Sequence, residues 1–147
     1  RILEQKKVKY KSYNYLETGA ISGMEVAKAL NEDPNLTFKT LVTIGKTNNH
    51  YVFLVPVNKE LDLKKASKAV NEKNIEMVKS KELLALTGYI HGGCSPVGMK
   101  KSFKTVIDSS AKNYDKLIFS GGKIGYQVET TLDELKKVID FDLKDIT

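Results

Sequence analysis

The period at which apolar residues recur changes several times along the chain, and each change marks an element. Tyr10-Lys11-Ser12-Tyr13-Asn14-Tyr15 alternates aromatic and polar residues at roughly the period of two of a half-buried strand, and Gly19 breaks it. Ser22-Gly23-Met24-Glu25 has capping-box spacing, and Val26, Ala27 and Leu30 continue at helical spacing, so a helix is expected to about Leu30. Asn31 to Asn35, with Pro34, ends it. The β-branched and aromatic runs Phe38 to Ile44 and Tyr51 to Val55 flank Gly45-Lys46-Thr47-Asn48-Asn49 and predict a β-hairpin. Leu61, Leu63, Ala66, Ala69 and Val70 share one helical face, Ile75 to Val78 reads as a strand, and Ser80 to Leu86 as a short helix with a Ser cap.

From Gly88 to Lys101 the chain is too rich in Gly and Pro for a regular element and is the first place to look for a site. Strands are expected again at Thr105 to Asp108, Leu117 to Phe119 and Tyr126 to Glu129, the last two joined by Ser120-Gly121-Gly122-Lys123-Ile124-Gly125. Thr131-Leu132-Asp133-Glu134 is a second capping box, predicting a helix through about Ile139. Roughly six to eight short strands with about four helices, and hairpins that adjoin rather than alternate with helices, predict a mixed α/β (α+β) fold. The expected architecture is a single domain over residues 1–147, with a curved, mostly antiparallel, barrel-like sheet flanked by helices.

Composition narrows the function classes. A chain of 147 residues can bury one core without covalent staples, and hydrophobic and charged shares of 41% and 29% are ordinary for a globular protein. No apolar run approaches the roughly 18 to 20 residues that span a bilayer, and Arg1 to Lys7 lacks the apolar centre of a secretion signal, so a cytoplasmic location is expected. The single cysteine, Cys94, excludes an intramolecular disulfide and argues against a thiolate zinc site. With only two histidines, no metal and no cofactor are expected. A net charge of +6 favours a polyanionic partner, although basic surfaces such as Lys64, Lys65 and Lys68 or Lys100, Lys101, Lys104, Lys112 and Lys116 are often only solvated faces.

Two glycine-rich loops carry the chemistry. Gly92-Gly93-Cys94-Ser95-Pro96-Val97-Gly98 and Ser120-Gly121-Gly122-Lys123-Ile124-Gly125 each offer accessible backbone amides with a lysine nearby, which suits a phosphate, a ribose or an oxyanion. Neither has the spacing of a Walker loop or a dinucleotide fingerprint, and a loop of this kind is more often just a turn. Cys94 with His91 or His50 could form a thiol and its base, against the commoner reading of an isolated cysteine as a small apolar filler.

Taken together, Phe38-Lys39-Thr40-Leu41-Val42, Leu61 to Ala66, Gly88-Tyr89-Ile90-His91-Gly92-Gly93-Cys94-Ser95-Pro96-Val97-Gly98-Met99-Lys100-Lys101 and Ser120 to Gly125 resemble the YbaK family, free-standing relatives of the editing domain of bacterial prolyl-tRNA synthetases. The resemblance runs from about Tyr13 to the carboxyl end, and its glycine motif is most similar to the cysteinyl-tRNA(Pro) deacylases.

That resemblance implies an enzyme that clears Cys from tRNA(Pro), and from tRNA(Cys) as well, because binding one small side chain gives too little energy to exclude a near-isostere and a second sieve is needed. It implies Lys39 and Tyr13 as catalytic residues. Gly92, Gly93 and Ser95 match the loop over the aminoacyl ester, Ser120, Gly121 and Gly122 the second loop, and Gln127 a position where some relatives carry Asp. The implied partners are aminoacyl-tRNA and prolyl-tRNA synthetase, with no membrane. In the implied mechanism the substrate thiol attacks its own ester, so no protein nucleophile is required. Open alternatives are an alanyl-tRNA(Pro) deacylase that uses water, a non-catalytic module binding tRNA or a synthetase, and a Cys94-dependent hydrolase.

Overall fold

The computed structural model of the chain describes residues 2–20, 22–90 and 93–147, with Glu17 described at the backbone only. It contains helices α1 (Ile2–Gln5), α2 (Gly23–Ala29), α3 (Leu63–Ala69), α4 (Ser80–Thr87) and α5 (Leu132–Leu135). The strands are β1 (Lys11–Asn14), β2 (Phe38–Gly45), β3 (His50–Pro56), β4 (Ile75–Met77), β5 (Lys104–Asp108), β6 (Leu117–Ser120), β7 (Tyr126–Thr130) and β8 (Asp142–Lys144). Short 3₁₀ turns cover Leu16–Thr18 and Ser109–Asn113.

The strands form two sheets, one of order β1-β7-β6 and one of order β4-β2-β3-β5-β8. The predicted hairpin is β2–β3, in a register that sets Lys39 opposite Val55 and Leu41 opposite Phe53. Pairing is mostly antiparallel; β5 lies parallel to β3 and β8 parallel to β5. The fold is mixed α/β, as expected, but the curvature does not close into a barrel: among the described residues β4 and β8 are the edges of the larger sheet, and β6 joins the segment just before β2 through the isolated parallel bridge Thr37–Ile118 rather than through a continuous ladder.

Period-two alternation divides the core between the two faces of the larger sheet. Phe38, Val42, Val52, Leu54 and Ile107 face one way and merge with Leu117, Phe119 and Val128 of the smaller sheet. Tyr51, Phe53, Val55 and Val106 face the other way, under Ala66, Val70, Ile75 and Ile146. Burying each large side chain contributes about 1.5–3 kcal/mol, so these strands are anchored on both faces.

Helix ends follow the sequence signals in part. The Ser22–Glu25 capping box is formed in both directions, and Asp62 caps α3 by accepting the Lys64 and Lys65 amides at 3.0 and 3.1 Å. Thr131 accepts the Glu134 amide, but the Glu134 carboxylate turns to the Lys9 amide and the Lys137 ammonium instead of closing the box. The helix there ends at Leu135, followed by turns, rather than continuing to Ile139. Ser80 is the first helical residue of α4, and the cap position falls on Lys79, without a side-chain hydrogen bond.

A buried carboxylate fixes the β2–β3 turn. Glu72 accepts the Tyr51 and Thr47 hydroxyls, both at 2.5 Å, and these hydrogen bonds hold it below its ordinary value of 4.5. Tyr51→Phe is expected to lower the melting temperature, because it removes a hydrogen bond to a charged acceptor. Because a depressed carboxylate stabilises the fold above 4.5 and loses that contribution as pH falls through its folded value, the wild-type and variant melting curves should differ at pH 7 and converge in acid. Equal melting temperatures at pH 7 would contradict this role.

Candidate functional site

Strand register assembles the site before any side-chain contact is considered. Tyr13 on β1 pairs with Gln127 on β7, and Gln127 pairs with Ser120 on β6, so the three stand in one row across the smaller sheet. Their neighbours Val128 and Phe119 point to the opposite face and into the core. The parallel bridge Thr37–Ile118 carries this face to the residue that precedes β2. Lys39 lies two residues beyond Thr37, and Ser120 two beyond Ile118, so Lys39 projects from the same side as the row.

Lys39 is loosely held. Its ammonium lies 3.4 Å from the Glu60 carboxylate, but the Glu60 side chain is 92% exposed, and an ion pair with so solvated a partner contributes little. The Lys39 side chain is itself only 29% exposed, so it presents a cation that can exchange Glu60 for a ligand.

A second polar group surrounds the row. The Tyr13 hydroxyl donates to Glu129 at 3.1 Å, and Lys116 pairs with Glu129 at 3.0 Å. Burial and then the Glu129 carboxylate raise the Tyr13 phenol, and Glu129 raises the Lys116 ammonium. Glu32 lies over Gln127, whose amide nitrogen, in the orientation that satisfies both groups, donates to the two carboxylate oxygens at 2.7 and 3.1 Å. The backbone explains the placement: Asn31 adopts a left-handed φ of 54° at the end of α2, and the Glu32 amide returns to the Ala27 carbonyl at 2.8 Å. Burial pushes the Glu32 carboxyl up to about 7; Gln127 and Lys116 oppose the shift and Glu129 adds to it.

The two glycine loops meet. A Cβ on Gly93 would lie 3.0 Å from the Ile124 nitrogen and the Lys123 Cα, so only glycine lets these backbones approach so closely. Gly122, at φ +106°, lies under the Tyr89 ring, and the Tyr89 hydroxyl donates to the Val97 carbonyl. Gly121 packs on Tyr126, with its amide donating to the Tyr126 carbonyl at 2.9 Å. Ser95 is buried, and its hydroxyl accepts the Val97 amide at 3.2 Å, so it shapes the loop from inside. Gly92 and His91 lie outside the described residues.

Cys94 is part of the core. It is 7% exposed, and burial pushes its thiol up to about 11, against a lowering hydrogen bond with Thr87. His50 stacks at a tilt on Phe103, 5.6 Å between ring centres. A thiol so raised is a poor nucleophile. Cys94→Ala is therefore expected to leave catalysis within about threefold of wild type and to cost stability as a small core cavity does, about 1 kcal/mol; loss of activity in the folded variant would restore the thiol as a candidate.

Sequence reasoning named Tyr13, Lys39, Ser120 and Gln127, gave Lys116 only as one of a group of basic residues, and missed Glu32 and Glu129, which the register and the turn after α2 bring to the same face. A cleft of about 880 Å³, lined by Lys101, Phe103, Lys136 and Phe141 among others, contains none of the row. Among the described residues no cluster of three or more His, Cys, Asp or Glu could hold a metal ion, and no helix is long and apolar enough to cross a membrane.

Comparison with known proteins identifies the family. The aminoacyl-tRNA editing domain family matches residues 20–138. An Enterococcus faecalis relative, EbsC, whose name proposes a Cys-tRNA(Pro)/Cys-tRNA(Cys) deacylase, is 42% identical over 100% of this chain and 90% of its own length. A crystal structure of a proposed trans-editing enzyme for prolyl tRNA synthetase superposes with a TM-score of 0.85 at 26% identity, covering 99% of this chain and 91% of the other. The hypothetical protein APE2540, at 19% identity and a TM-score of 0.86 over 99% of this chain and 95% of its own, shares the fold. The family expected from the glycine motifs is therefore the one found: this chain belongs to the aminoacyl-tRNA editing domain family.

Proposed function

We propose that residues 1–147 form a single editing domain that clears cysteine from mischarged tRNA(Pro), and from tRNA(Cys), in the cytoplasm, acting on the aminoacyl end alone or beside prolyl-tRNA synthetase. The observation that carries this reading is the row Tyr13–Gln127–Ser120 with Lys39 on the same face and two glycine loops in contact nearby. Such a surface offers a cation, hydroxyls and backbone amides but no activated nucleophile, which suits a substrate that brings its own. The name carried by the 42% identical relative supports cysteine as the amino acid.

In this mechanism the cysteinyl thiol sulfur bonds to the ester carbonyl carbon, the bond from that carbon to the ribose oxygen breaks, and the thiol proton ends on that oxygen. The products are a cyclic thiolactone and tRNA with a free 3′ end. Lys39 neutralises the terminal phosphate or the developing oxyanion, Tyr13 holds the proton-bearing side of the pocket, and loop amides of Gly93, Gly121 and Gly122 cradle the ester and adenosine, with Ser95 shaping the first loop.

Deacylation of Cys-tRNA(Pro), Ala-tRNA(Pro) and a Ser-tRNA control tests the reading. Clearance of the cysteinyl ester alone is expected. Activity on the alanyl ester alone would replace substrate-thiol attack by water, and binding without ester loss would make the chain a tRNA-binding module.

A further inference from the structure

We propose that Glu32 is a specificity-determining residue whose carboxylate receives the α-ammonium group of the aminoacyl ester, so that the site admits an aminoacyl end and discriminates against an acyl end lacking that cation. The inference rests on the editing reading above and adds the part of the substrate it had not placed.

Glu32 is half-buried, yet it takes part in none of the ion pairs among the described residues; Lys116, which acts on it electrostatically, is paired with Glu129 instead. Among the described residues its side-chain hydrogen-bond partner is the neutral amide of Gln127, itself in the row with Tyr13 and Ser120. A partly desolvated carboxylate without a cation is an unfavourable arrangement for a resting fold, and it is relieved when a ligand brings the cation. The left-handed turn at Asn31 holds the group there. Every aminoacyl-tRNA carries an α-amine beside the scissile carbonyl, primary in cysteinyl and alanyl esters and secondary in prolyl esters, so a carboxylate over the row is matched to a feature common to its substrates.

The groups facing Glu32 are Gln127, Glu129 and Lys116, with Tyr13 beyond them. Since the carboxyl titrates at about 7, ester affinity should weaken as pH falls through that range and Glu32 becomes neutral.

The test pairs two substrates with two proteins: Cys-tRNA(Pro) and its deamino analogue, 3-mercaptopropionyl-tRNA(Pro), with wild type and Glu32→Gln. Wild type is expected to prefer the cysteinyl ester in kcat/KM by an order of 30-fold, the size of one charge-assisted hydrogen bond. Glu32→Gln should cut that preference to threefold or less, raise KM for the cysteinyl ester, flatten its pH dependence near 7, and melt no lower than wild type at pH 8. An unchanged preference in the folded variant overturns the proposal, as does a fall in kcat with the preference kept, which would make Glu32 an acid–base group. The wild-type comparison of the two esters needs no variant, and equal kcat/KM values there also overturn it. If wild type deacylates neither ester, the editing reading falls first and this one with it.

Discussion

Lys39→Ala should reduce single-turnover deacylation of Cys-tRNA(Pro) by about 10²–10³-fold, the usual consequence of removing one preorganised charge that stabilises a developing anion. Its melting temperature should stay close to that of wild type, because the only ion pair Lys39 makes among the described residues is to the 92% exposed Glu60 side chain. Glu60→Ala supplies the contrast: it removes the resting partner and leaves the ammonium, so deacylation should stay within about twofold of wild type. A folded Lys39→Ala protein with wild-type turnover would contradict the placement of Lys39 at the reaction.

Phe119→Ala should be the most destabilising substitution near the site, costing about 3–5 kcal/mol. Phe119 is 1% exposed and lies in the cluster that joins Leu117 and Val128 of the smaller sheet to Phe38 of the larger one. Its strand neighbour Ser120 belongs to the site row, so the core below and the polar face above are fixed by one backbone. At roughly 2–4 °C per kcal/mol for a chain of this size, thermal unfolding should shift down by about 10 °C. A shift of under about 3 °C would mean that the two sheets are not held together through this residue.

Local signals in the sequence were strong where packing and propensity agree. The β2–β3 hairpin, the Ser22–Glu25 box and the helical face of Ala66 and Val70 are each encoded by residues that the fold also buries or caps. β8, with Leu143 as its one apolar residue, and the four-residue α1 have no period to detect; their context comes from pairing with β5 and from packing of Leu3 in the core. The Thr131 helix stops at Leu135, because a capping box encodes where a helix begins and not how far it runs, and the Glu134 contacts with Lys9 and Lys137 are ones that no spacing rule contains.

The site was legible to the extent that its residues lie in motifs. Lys39 and the glycine loops stand out in the chain, and Tyr13 and Gln127 follow from family spacing. Glu32 looks like an ordinary polar residue after a helix until the left-handed Asn31 turns it over Gln127. Glu129 and Lys116 are distant from Tyr13 in sequence and meet it only through the β1–β7–β6 register.

The most direct test of the account is single-turnover release of radiolabelled cysteine from Cys-tRNA(Pro) by the wild-type chain, measured against spontaneous ester loss in the same buffer. The account predicts acceleration of at least about 10²-fold, within reach of electrostatic stabilisation and positioning alone. Release at the spontaneous rate, with tRNA bound, would contradict it and leave a binding module in its place.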